Sequence, residues 1–162
     1  MKTKKLAALA LTVSFAMILS YIESRMPALV AIPGIKIGFA NIAVIFALYK
    51  FGVKEAVTVS LIRIFLVSLL FGTPVSMLYS LAGGTLSLVV MSALKRLTPL
   101  REVTISVCGG VLHNVGQIGM ASIILDTNVV VYYLPALLVS GILAGIAVGV
   151  AAGILIKRVP VS

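Results

Sequence analysis

The octapeptide VLHNVGQI, residues 111–118, carries three polar side chains, His113, Asn114 and Gln117, in an otherwise apolar run. His113 and Gln117 are four residues apart and Asn114 and Gln117 three apart, so on a helix all three share one broad face. An imidazole beside two amides supplies directional hydrogen-bond donors and acceptors. His113 is the only histidine of the chain and its own segment holds no carboxylate to orient the ring, so a catalytic triad is not expected. One histidine, an isolated Cys108 and no nearby acid also fall short of the three or four ligands that zinc takes, so neither a metal nor another cofactor is expected.

Arg63 lies in the middle of a second apolar run, SLIRIFL. A charge at the centre of a membrane helix costs about 2.5–3.5 kcal/mol on insertion scales, and such residues generally mark a site. The four acids, Glu23, Glu55, Glu102 and Asp126, all stand at the ends of apolar runs, which leaves Arg63 with no evident counter-ion in its own chain. Three roles stay open for it. It binds helix carbonyls and amides structurally, for instance Asn41, Asn114 or Gln117; or it pairs with an anionic ligand; or it meets an acid of a partner subunit.

Asn41 falls at a comparable depth in its own run, as do Gly83, Gly84 and Ser87 in theirs, and Lys36 stands where it could draw a ligand to an outer mouth. The candidate substrate-binding set is therefore Arg63, His113, Asn114, Gln117, Asn41 and Lys36. The same polar residues could line one intramembrane cavity or simply join helices by hydrogen bonds worth about 0.6 kcal/mol each.

The elements that would position these residues follow from composition. Of 162 residues, 61% are hydrophobic and 10% charged, against roughly a quarter charged in a soluble domain. Breakers and charges divide the chain into six apolar segments, approximately 6–22, 35–49, 55–71, 77–94, 103–125 and 132–156, each near or below the roughly 20 residues that cross a bilayer. The expected fold is all-α, a polytopic six-helix membrane bundle forming one domain over 1–162. The basic start MKTKK and the apolar run after it read as a retained first helix, since no A-x-A cleavage site follows.

The net charge of +9 could suit nucleic acid, but the basic residues form short clusters between apolar runs without interleaved aromatics, so no nucleic acid is expected. Lys2, Lys4, Lys5, Lys50, Lys54, Lys95, Arg96, Arg101, Lys157 and Arg158 all fall on one side of the six-span arrangement. By the positive-inside rule that side, with both termini, is cytoplasmic, in a multi-pass cell-membrane protein. The apolar, proline-containing loop 23–34 on the other side is either a lid over the outer mouth or an interfacial loop.

Small residues recur every four positions in two runs: Gly141, Gly145, Gly149 and Gly153 in the sixth segment, and Ala8, Thr12, Ala16 and Ser20 in the first. Such ridges let helix backbones approach closely in lipid. Packing within the bundle is expected for the sixth; the first either packs inside or docks a partner membrane protein. Gly34 and Gly38 repeat the interval at the start of the second segment.

The stretches PGIKIGFANI (33–42), EAVTVSLIRIFLVSLLFGTP (55–74), YSLAGGTLSLVVM (79–91) and VLHNVGQI occur in the order found in the Gx transporter family, often labelled heptaprenyl diphosphate synthase component I, which the chain closely resembles over nearly its whole length. That family is more distantly similar to the substrate-binding S components of energy-coupling factor (ECF) transporters. The resemblance implies a six-helix bundle with an external lid and a cavity toward the outer half. It also implies partners, a transmembrane T subunit with two ATPases or, by the label, a prenyl synthase. The first-helix ridge is not the usual alanine pattern of T-subunit docking.

The synthase label does not extend to catalysis. Prenyl synthases hold magnesium diphosphate with aspartate-rich motifs, because Mg²⁺ needs clustered oxygen ligands. This chain has one aspartate, Asp126, and three scattered glutamates. The expectation is a non-enzymatic membrane protein that binds a small polar or anionic molecule, S-component-like, with a non-catalytic accessory role in polyprenyl diphosphate or quinone metabolism as the alternative.

Overall fold

The computed structural model describes residues 2–25 and 38–160. Lys36, Gly34 and most of the 23–34 loop fall outside the described residues. Among those described, every regular element is helical. In chain order they are α1 (Lys2–Arg25), α2 (Asn41–Lys50), α3 (Val53–Phe71), α4 (Pro74–Leu97), α5 (Glu102–Ile124), a 3₁₀ turn (Val129–Tyr133) and α6 (Leu134–Arg158).

The breaks between helices have local causes. Gly52 sits at φ +117°, a conformation that disfavours residues with a Cβ, and its N–H donates to Ala47 O as α2 ends. Thr73 caps α4 reciprocally with Ser76, and Pro74 occupies the first turn, where a missing N–H costs nothing. Acids open α3 and α5 through Glu55 and Glu102, while Lys95, Arg96, Lys157 and Arg158 close α4 and α6, each favourable to the helix dipole.

Four segments are long and apolar enough to cross a bilayer: Thr3–Arg25, Pro74–Leu97, Glu102–Ile124 and Val129–Arg158. Large apolar side chains such as Leu11, Leu69, Val89, Ile123 and Leu143 stand more than half exposed on the outer surface. An aqueous surface would not tolerate so many, and together these features mark a membrane protein. The second apolar segment behaves differently from the rest. Helix α2 has 10 residues, a rise of about 15 Å, half of a hydrocarbon core about 30 Å thick.

That short helix is the centre of the basic half of the molecule. Val44, Ile45, Ala47 and Leu48 pack against Ala56 and Val59 of α3, Leu88 and Met91 of α4, Ile105 of α5, and Val148 and Ala152 of α6. A second cluster, Tyr79, Ile118, Ala121, Val130 and Leu137, holds α4, α5 and α6 together toward the other end. Between the two clusters, at the N-terminal tip of α2, Asn41 meets the buried Arg63 of α3.

Glycine sets the spacing around α5. A Cβ on Gly145 would stand 2.6 Å from Val107 Cα, one on Gly149 2.7 Å from Val103 Cα, and one on Gly141 2.9 Å from Gly110 O. Gly153 faces the Glu102 side chain in the same row. The sixth-segment ridge thus lies directly on α5. On α1, Thr12, Ala16 and Ser20 are buried and Ala8 is half-buried, with Ala16 packed against Ala40 and Ala43. That row is turned into the bundle.

Candidate intramembrane polar site

Arg63 projects from the middle of α3 and is 8% exposed. Its Nη2 donates to Asn41 Oδ1 at 2.9 Å. Asn41 is the first residue of α2, and this half-length helix lifts it to mid-depth, where the guanidinium reaches it. Arg63 Nε is buried with no partner among the described residues. Of the three roles open to Arg63 from sequence, the structure realises the structural bond to Asn41 and leaves further donors of the guanidinium for another group.

Glu23 corrects the expectation that no acid of the chain comes near Arg63. It is 7% exposed, it accepts the Gly38 N–H through Oε1, and Arg63 experiences its carboxylate electrostatically. Linear position put Glu23 at the outer end of an apolar run, but position along a run does not say which face a residue occupies. Glu23 is three residues beyond Ser20, so it continues the buried row of Thr12, Ala16 and Ser20. That spacing is the signal from which it could have been found.

The VLHNVGQI residues divide between two neighbours. His113 and Gln117 face α4, where the absence of a side chain at Gly83 admits them: a Cβ there would stand 2.9 Å from Gln117 Cγ and 3.1 Å from His113 Nδ1. Asn114 turns to α6 and donates from Nδ2 to Leu137 O at 2.6 Å. One broad face on α5 therefore serves two helices, because helices flank it closely on both sides.

His113 is 4% exposed, and Gln117 is wholly buried. Both amide atoms of Gln117 lack hydrogen-bond partners among the described residues. Arg63 also acts electrostatically on His113, so the α3 and α5 groups belong to one field. On the basic side of Asn41, a cavity of about 10 Å³ is bounded by Ser87 and Ser106, whose hydroxyls are likewise unpartnered. Such a space admits about one water molecule.

The arrangement suits recognition: a guanidinium, two amides and an imidazole in a low-dielectric interior. No group of three or more possible metal ligands occurs among the described residues. Cys108 is a free, half-buried thiol on α5. No curated protein and no solved structure matches the chain. Its family is nevertheless identifiable: the model for heptaprenyl diphosphate synthase component I matches residues 12–155, and the chain belongs to that family.

Proposed function

We propose that this membrane protein is a non-catalytic binding subunit whose intramembrane site takes a small polar or anionic ligand, in the manner of the S component of an ECF transporter. The observation that carries the reading is the wholly buried Gln117, with neither amide atom partnered among the described residues. A buried donor or acceptor left unmade costs about 1–3 kcal/mol, and a bound ligand would recover that cost. In this reading Arg63 meets the anionic part, His113, Gln117 and Asn41 give direction, Lys36 draws the ligand inward, and Asn114 fixes the wall. All six helices lie across the membrane, α2 only partway, with the basic end and both termini cytoplasmic.

The test is native mass spectrometry of the purified chain for a retained small molecule, followed by thermal unfolding with that molecule added back. Arg63→Gln should abolish the ligand-dependent rise in midpoint. An unchanged rise would reject the role of Arg63.

A second reading, an accessory of a polyprenyl diphosphate synthase, draws support from the family name alone. Catalysis would then belong to the partner, since the single aspartate of this chain cannot build two magnesium-binding motifs. Recovery of the tagged protein with a prenyl synthase supports this reading, and recovery with a T subunit and paired ATPases supports the first.

A further inference from the structure

Helices α1, α2 and α3 are joined at the tip of α2 by one continuous chain of hydrogen bonds. Near the end of α1, Glu23 Oε1 accepts the Gly38 N–H. The Gly38 carbonyl accepts the Asn41 N–H at 2.9 Å, which closes the turn that opens α2. The Asn41 side chain then accepts from Arg63 Nη2, in the middle of α3, also at 2.9 Å. The two ends of this chain, Glu23 and Arg63, carry opposite charges, and both are more than nine-tenths buried.

Gly38 is fitted to its place in two ways. Its φ of +92° lies in the left-handed region, which residues with a Cβ rarely adopt. A Cβ there would also stand 2.9 Å from Asn41 Nδ2, so the bare backbone lets the amide lie against the turn. The cap position of α2 offers no comparable support, because it is held by Ala40, whose methyl group cannot accept a hydrogen bond. A helix of 10 residues depends on contacts from outside itself to keep its first turn in place. Glu23 supplies one of those contacts. A carboxylate that merely neutralised Arg63 could do so from any position within electrostatic range. Glu23 instead holds the turn that carries the hydrogen-bond partner of Arg63.

We infer that Glu23 is a positioning residue for Arg63: it holds the Gly38 turn, the turn holds Asn41, and Asn41 sets where the guanidinium points. The inference rests on the reading of Arg63 as the group that meets a ligand, and it adds how that group is aimed. Arginine has a long, rotamer-rich side chain, and ordering it at the moment of binding weakens affinity. A guanidinium already fixed through α1 and α2 avoids that loss.

The experiment follows the Arg63 guanidinium itself, by NMR of the full chain labelled with ¹⁵N-arginine in detergent micelles. Rotation about the Nε–Cζ bond averages the two Nη signals of a free guanidinium, and a hydrogen bond from one Nη slows that rotation. The signal is assigned by its loss in Arg63→Gln. In the wild type Arg63 should rotate about tenfold more slowly than the exposed Arg158. Asn41→Ala, Gly38→Ala and Glu23→Ala should each bring the Arg63 rate close to that of Arg158. Glu23→Gln removes the charge but keeps an acceptor for the Gly38 N–H, so it should retain the slow rate. Asn114→Ala, a lesion of the α5–α6 contact, should retain it as well. Glu23→Leu, which fills the buried space without an acceptor, repeats the test where Glu23→Ala is not helical by circular dichroism.

Equal rates for Arg63 and Arg158 in the wild type, or an unchanged slow rate in Glu23→Ala and Glu23→Leu, would overturn the inference. So would release by Glu23→Gln as complete as by Glu23→Ala, which would reduce Glu23 to a counter-charge. Release by Asn114→Ala would overturn it too, since the rate would then report general loosening. The measurement uses no ligand, so failure of this relay is told apart from failure of ligand-dependent stabilisation.

Discussion

Gly83 on α4 and His113 on α5 are in backbone contact: a Cβ built on Gly83 would lie 2.6 Å from the His113 carbonyl oxygen. Because that obstacle is backbone, no side-chain rotation relieves it. The same approach brings the imidazole and Gln117 against α4. Gly83→Ala should therefore force the helices apart, cost about 1–3 kcal/mol of stability and weaken whatever the site binds. Gly119→Ala is the control, since a Cβ there meets nothing within 4 Å, and its effect should stay within about 0.5 kcal/mol. Reversible unfolding in mixed micelles measures both. Equal effects would deny that the α4–α5 contact depends on Gly83.

The bond between Arg63 Nη2 and Asn41 Oδ1 ties α3 to the tip of the half-length α2. A hydrogen bond to a charged group is worth about 1.5–3 kcal/mol. A double-mutant cycle with Asn41→Ala and Arg63→Gln should return a coupling energy in that range. Additive single effects would show that the two residues act separately.

Glu23 and Arg63 carry opposite charges in a buried setting and act on each other electrostatically. Glu23→Gln keeps the shape and removes the charge, so it should destabilise by about 1–3 kcal/mol, the range for a buried polar group deprived of its partner. Glu23→Gln combined with Arg63→Gln should cost less than the sum of the two single changes. A sum or more would remove Glu23 as the compensating charge.

Depth was legible in the sequence and facing was only partly so. Counting along apolar runs places Arg63, Asn41 and His113 at one level, and the structure brings Arg63 within hydrogen-bonding distance of Asn41 and within electrostatic range of His113. Glu23 is not visible by depth, because distance from a run's end says nothing of the face a side chain occupies. Spacing alone groups Asn114 with His113 and Gln117. Spacing fixes an arc of about 100° but not the neighbours that flank it, and α6 takes Asn114 while α4 takes the others. The apolar segment at 35–49 is short and contains Lys36 and Asn41, but hydropathy does not register where a chain turns, and its described helix starts only at Asn41.

Asn114 should behave as a structural residue. Its Nδ2 donates to Leu137 O where Gly110 and Gly141 bring α5 and α6 together. Interhelical bonds of this kind average about 0.6 kcal/mol and reach about 1.7. Asn114→Ala should lower stability within that range while leaving the fractional response to a retained ligand intact, whereas Gln117→Ala should lose the response. The contrast is read in one thermal series on the two variants.

The orientation can be read with impermeant thiol reagents once Cys108 is replaced by Ser. The α4–α5 connection lies at the end that carries Lys50, Lys54, Lys95, Arg96 and Arg101, and Asn128 lies at the opposite end, just before the 3₁₀ turn. Clusters of Lys and Arg are retained on the cytoplasmic side because moving them across the membrane during insertion is unfavourable. In intact cells Asn128→Cys should therefore label and Leu100→Cys should not. After permeabilisation both should label, since both positions are solvent-exposed. The reverse pattern in intact cells would invert the protein and place the basic end, with both termini, on the outer face.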